Sequence, residues 1–239
     1  MLKSSKKNLI LRGWVDDTSI KYSSYSLSNI QDLLESEIPA DRTAAALIIG
    51  KNKLRYFIPL LISKLKVEKK LYSKIAICNA LSNLGKPSLK YLVPLLGEIG
   101  KNQYKNIPPK LCLKKGYPCS RDIAARTIGK IGEPALPYLE KVLRSNNRKQ
   151  ILEAVDCTGF IIFYLDNALE KKSILSLLHI LYDESSKNKD TLLTWKIIRA
   201  FSSFKSIEMI AFLKTISASQ NQLLKQEASR SIKIILKHL

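Results

Sequence analysis

From Arg121 to Gly132 the chain reads basic-x-x-small-small-x-small-apolar-Gly-x-apolar-Gly, a helix with a stripe of small residues along one side. The same frame recurs at Lys74–Gly85, and its first nine positions recur at Arg42–Gly50. Weaker copies run from Ile151 to Ile161, Thr194 to Phe204 and Lys225 to Ile235. Aligning the copies on their third small position gives anchors at Ile48, Ala80, Thr127, Cys157, Ala200 and Ser231, spaced by 32, 47, 30, 43 and 31 residues. Two positions after the anchors stand Gly50, Ser82, Gly129, Gly159, Ser202 and Lys233, small in five of six copies. A small residue there lets a neighbouring helix come close, which stacked helix pairs require at every repeat.

Each of the better copies is followed by an apolar helix punctuated by proline: Leu54–Leu61, Lys86–Leu96 and Glu133–Leu139. Pro87 and Pro134 sit at helix starts, where a missing N–H costs little. Pro59, Pro94 and Pro137 fall later, so these helices are expected to be kinked or to begin late. In these residues the chain resembles the HEAT-like repeat family, in particular the short type known from phycobilisome-lyase proteins. The match is specific for 42–66, 74–96 and 121–143 and degenerate from 150 to 239, where Gly159, Ala200-Phe201-Ser202 and Ala228 carry it. The resemblance implies an all-α fold, a right-handed α-solenoid of about six helix pairs, with the second helix of each pair lining a concave surface. Periodicity alone implies only stacked helix pairs, and a non-repetitive helical bundle is the alternative. Residues 1–25 read as an N-terminal extension and 26–239 as one HEAT-like domain with an insertion loop at 101–120.

Composition agrees with a helical body, because nine Gly and nine Pro in 239 residues leave little material for the tight turns of a sandwich or barrel. No run of about 18 apolar residues spans a membrane, and Leu9–Leu11 is too short for a signal peptide. With Cys78 and Cys157 inside apolar helical patterns, no disulfide framework is indicated and a cytoplasmic location is expected. Cys112 and Cys119 share a loop, but His179 and His238 are remote from it in sequence, so no metal site is expected. No phosphate-binding glycine loop or nucleophile elbow is present, and no cofactor is expected.

Charge changes the picture most. Against 20 Asp+Glu stand 40 Lys+Arg, a formal net charge of +20, and such a field draws in polyanions. Six positions before the anchors lie Arg42, Lys74 and Arg121, and later Lys225. The family resemblance implies that this ladder is structural, tying repeats together through a preceding carboxylate, with Glu37 for Arg42 and Glu68 for Lys74. One position before the anchors lie Leu47, Asn79, Arg126, Asp156, Arg199 and Arg230, a mostly polar stripe expected to be exposed. On the concave face that the resemblance implies, Arg126, Lys130, Arg199 and Arg230 would project into the groove, where guanidinium groups suit phosphate. The 101–120 segment adds Lys101, Lys105, Lys110, Lys114 and Lys115 without an acid, interleaved with Tyr104 and Tyr117. Such a loop can clamp a nucleic-acid backbone while its aromatics stack on bases. A mobile connector kept soluble by lysine fits it equally.

The chain is also similar, in architecture and charge, to alkylpurine DNA glycosylases built from HEAT-like repeats. That likeness would give Asp156 the role of a carboxylate stabilising a cationic sugar and Trp195 that of a stacking ring. The family's Trp-Trp-Asp run is absent, and Trp14 lies outside the repeats. The reading that best fits these residues is a non-catalytic repeat protein binding an acidic partner, nucleic-acid phosphates first. A scaffold for an acidic protein is the second reading and binding to a membrane surface the third.

Overall fold

The computed structural model describes residues 5–16, 25–109, 116–165 and 171–239. Every regular element among them is helical: α1 (Lys6–Leu11), α2 (Leu27–Glu35), α3 (Pro39–Lys51), α4 (Ile58–Val67), α5 (Leu71–Leu84), α6 (Leu89–Leu92), α7 (Ile123–Ile131), α8 (Leu136–Leu143), α9 (Arg148–Phe163), α10 (Lys171–Lys187), α11 (Thr191–Phe201), α12 (Ile207–Ser217) and α13 (Gln222–His238). Polar side chains start many of them in the expected way. Ser26, Asp122, Asn147, Asp190, Ser206 and Asn221 each accept a backbone N–H of the first turn that follows. The punctuating prolines mark where helices start or stop rather than bend them. Pro59 and Pro137 occupy the first turns of α4 and α8, each preceded by a short 3-10 turn, and Pro94 lies in a 3-10 turn after α6.

The chain forms two compact units, 1–92 and 93–239. In the first, α3 packs against α2 and α5, and α4 packs against α5. In the second, α7, α9, α11 and α13 pack side by side in that order, while α8, α10 and α12 each lie against the helix that follows. No helix among the described residues is long and apolar enough to cross a membrane.

All six anchor residues, Ile48, Ala80, Thr127, Cys157, Ala200 and Ser231, are buried. The small column behind them works as close packing in two places. A Cβ on Gly50 would stand 2.9 Å from the Ala80 Cα, so α3 and α5 meet backbone to backbone; one on Gly129 would stand 3.1 Å from the Phe160 ring on α9. Gly159 has a different neighbour. The space beside it is filled by the ring of Tyr117, from the segment before α7.

Arg42 corrects the expected pairing of the ladder. Its guanidinium grips the Glu68 carboxylate with two bonds, Nε–Oε2 at 2.7 Å and Nη2–Oε1 at 3.1 Å, and Nη1 donates to the carbonyls of Ser36 and Glu37. Glu68 also accepts the N–H groups of Lys69 and Lys70. Glu68 thus serves Arg42 rather than Lys74, and Glu37 contributes its backbone rather than its carboxylate. The reason is geometric: the end of α4 brings the Glu68 carboxylate to the start of α3, where Arg42 meets Glu37 through its backbone carbonyl. Burial pushes the Glu68 carboxyl upward, but Arg42 and the two N–H groups outweigh it and hold it below its ordinary value.

Candidate functional site

Three helices of the second unit carry charge at the same two registers, four and one positions before the anchor. On α9 these are Glu153 and Asp156, on α11 Lys196 and Arg199, and on α13 Glu227 and Arg230. All six are buried. Because α11 lies between α9 and α13, its cations face a carboxylate on either side.

Lys196 is the centre of this seam. Its side chain is 0% exposed, and Nζ reaches Glu153 Oε1 at 2.9 Å, Asp156 Oδ2 at 2.9 Å and the Leu152 carbonyl at 3.0 Å. Arg199 is held more loosely, with Nη1 3.8 Å from Asp156 Oδ1 and Nε 3.6 Å from Glu227 Oε1. Arg230 closes the row with Nη1 at 2.8 Å from Glu227 Oε1 and Nη2 at 3.2 Å from the Gly116 carbonyl. Burial drives the Glu153 carboxyl up to about 7, with the neighbouring Asp156 charge adding to it and Lys196 opposing. Burial alone would lower the Lys196 ammonium, but the two carboxylates hold its proton and raise it. Several buried polar atoms here have no hydrogen-bond partner among the described residues: Arg199 Nε and Nη2, Glu153 Oε2, Asp156 Oδ1 and the Tyr117 hydroxyl.

The expected exposed stripe is therefore corrected at three of its positions. Asp156, Arg199 and Arg230 are 2%, 2% and 5% exposed. They are buried because each meets a charge of opposite sign on the same or the next helix, so no single column had to face water. Neither arginine projects into a groove. Trp195 is buried as well: the Arg199 guanidinium lies 3.8 Å from its ring centre and the Tyr104 ring stands edge-on at 5.4 Å. Asp156 and Trp195 do share a neighbourhood, as the glycosylase likeness requires, but the carboxylate faces Lys196 and Arg199 and the indole face is covered by Arg199.

The remaining candidates among the described residues are on the surface. Arg126 and Lys130 are exposed on α7, and Arg126 Nε donates to the Ser120 carbonyl at 3.0 Å. Lys101 and Lys105 are exposed in the stretch before α7. Lys110, Cys112, Lys114 and Lys115 lie outside the described residues. Beside Lys105 a cleft of about 710 Å³ is lined further by Arg148 and Lys189, with Glu184 and Asp190 opposite in charge. Arg148 is committed there to Asp190, Nη2 to Oδ1 at 2.8 Å.

Sequence reading missed Glu153, Lys196 and Glu227. Their signal was present: at four positions before the anchor the first three copies carry Ala44, Ala76 and Ile123, and the last three carry acid, base, acid.

No protein-family model matches the chain, and no curated protein matches it. Among solved structures the chain is similar to an engineered protein from the Northeast Structural Genomics Consortium, at 16% identity over 88% of this chain and 96% of that one, with a TM-score of 0.42.

Proposed function

We propose that this protein is a non-catalytic HEAT-like repeat protein, a right-handed α-solenoid, that binds the phosphates of nucleic acid through exposed lysine and arginine. The solenoid reading is supported by the six buried anchors and by the side-by-side order of α7, α9, α11 and α13. One observation carries the binding reading. Of the 20 carboxylates at least five are buried, Glu68, Asp122, Glu153, Asp156 and Glu227, against three buried cations among the described residues, Lys196, Arg199 and Arg230. Folding therefore leaves the surface more positive, relative to its size, than the composition already makes the chain. Arg126 and Lys130 on α7 and Lys101 and Lys105 in the stretch before it lie on this surface, and each is a point charge or fork suited to phosphate.

The test is fluorescence anisotropy with labelled single-stranded DNA, duplex DNA and RNA across a salt series, for the natural chain and for the Lys101→Ala, Lys105→Ala, Arg126→Ala, Lys130→Ala combination. Affinity is expected to fall linearly with salt on logarithmic axes, and the slope to drop by roughly 0.7 to 0.9 for each phosphate contact removed. Absence of binding at physiological salt, or binding and slope indifferent to the four substitutions, refutes the proposal and directs attention to an acidic protein partner.

A further inference from the structure

Tyr104 sits in a setting built for a planar ring. The cations of Arg121, Arg199 and Lys196 lie 4.7, 5.6 and 5.8 Å from its ring centre, and Trp195 stands at right angles to it at 5.4 Å. A phenol fills that space and satisfies the cations through its face. It does nothing for Arg199 Nη2, a buried donor with no hydrogen-bond partner among the described residues, or for Nε, which has only the Glu227 oxygen at 3.6 Å, beyond hydrogen-bond distance. Leaving such donors unmade is costly, and a ring carrying acceptors on its edge would supply what the phenol lacks.

Tyr104 is also lightly held. Lys101–Pro109 makes no backbone-to-backbone hydrogen bond with another described residue. Apart from the ring itself, the stretch is tied down by Gln103, whose Nε2 donates to the Ile99 carbonyl at 2.9 Å and to Asp122 Oδ2 at 2.7 Å. Segments with few buried contacts and few backbone bonds open at low free energy. Tyr104 itself is half-buried, and Arg121 is exposed at its edge.

We infer that Tyr104 is a displaceable occupant of a nucleobase slot: a base of single-stranded nucleic acid replaces the phenol beside Trp195, its carbonyl oxygens accept from Arg199, and Arg121 meets the adjoining phosphate. The inference rests on the nucleic-acid reading above and narrows it to unpaired strands, since a base within a duplex offers neither its faces nor its pairing edge. Thymine and uracil, with a ring carbonyl on either side of N3, can offer Arg199 an acceptor in either orientation of the ring. The ion seam beneath stays intact, because the ligand takes over the place of one side chain and breaks none of the pairs of Lys196 or Arg230.

The experiment uses the full chain in a Trp14→Phe background, so that emission reports Trp195 alone. It is titrated with oligo(dT) and with a duplex of the same length, and the anisotropy of the labelled nucleic acid is followed in parallel. Oligo(dT) is expected to quench Trp195 while the duplex does not. Tyr104→Ala, which removes the competitor, is expected to bind oligo(dT) roughly three- to tenfold tighter with duplex affinity unchanged. Gln103→Ala loosens the same segment and moves the affinity in the same direction by less. Oligo(dT) binding that leaves Trp195 emission and the Tyr104→Ala affinity unchanged overturns the slot and leaves the surface-phosphate reading standing. Absence of binding by either nucleic acid overturns both. Should Tyr104→Ala lose its helical circular dichroism, the emission response of the background protein and the Gln103→Ala shift decide the matter.

Discussion

Replacing Lys196 with Met keeps most of the apolar stem of the side chain and deletes the ammonium with its charge and its donors. In the folded protein that charge lies between two carboxylates at 2.9 Å each and a carbonyl at 3.0 Å, with no solvent exposure at all. The carboxylates of Glu153 and Asp156, each with a side chain 3% exposed, would remain without it. Breaking a buried pair by removing one partner costs about 3–5 kcal/mol, because the orphaned charge is left in a low dielectric. The loss must depend on pH in a definite sense. Without Lys196 the Glu153 carboxyl, already raised by burial, is pushed further above the value it holds in the unfolded chain, and a group so raised loses stability as pH rises through its folded value. The deficit of Lys196→Met is therefore largest at pH 8 and shrinks at pH 5, where a proton neutralises Glu153. Urea denaturation followed by Trp195 emission in the Trp14→Phe background, at both pH values, measures it. A loss below about 1 kcal/mol at pH 8, or one of equal size at pH 5, would refute the account of the seam as a charge-balanced interior.

Glu153→Gln carries the complementary expectation. The folded carboxyl is raised to about 7 by burial, against 4.5 for the unperturbed group, so the natural chain loses stability as pH climbs through this window and the variant does not. Between pH 4.5 and 8 the difference between the two should move in favour of the variant by up to about 3 kcal/mol, read from paired urea curves. Gly159→Ala places a Cβ 2.5 Å from Tyr117 Cζ and nearer still to its oxygen, in a ring that is 3% exposed. The clash outweighs the helix-propensity gain of roughly 1 kcal/mol, so thermal denaturation should show a net loss of roughly 1–2 kcal/mol. Arg42→Lys cannot reproduce the two-bond grip on Glu68 together with the carbonyls of Ser36 and Glu37, and calorimetry should show the first unit destabilised by about 1–3 kcal/mol.

The helical class, the position of the repeated helices and their buried anchors were legible because a small residue at a fixed register has one dominant physical use, close approach. The late starts of α4 and α8 were legible from Pro59 and Pro137 for a similar reason. The site was harder. Arg199 and Arg230 looked like surface because each was read within its own helix, where a charged column beside an apolar one normally faces water. Their burial depends on residues of the neighbouring helix at matching registers, and a pattern read along one copy at a time does not show it. Arg42 failed differently: the sequence showed that it would be tied, but the choice between Glu37 and Glu68 depends on where the end of α4 meets the start of α3, which is a matter of packing. The Tyr117 ring against Gly159 had no sequence signal, since the small column that admits it is the same column that admits helices elsewhere.

The alternation along the seam also has a consequence for how the second unit assembles. α7, α9, α11 and α13 resemble one another, with small and apolar positions recurring in the same places, and helices so alike are exposed to docking in the wrong order. Pairing α9 directly with α13 would bring Glu153 and Asp156 against Glu227 with one arginine among three carboxylates, whereas α11 between them gives every acid a cation. The charges thus work as an address, admitting one sequence of neighbours and penalising a skipped or exchanged helix by the burial of like charge.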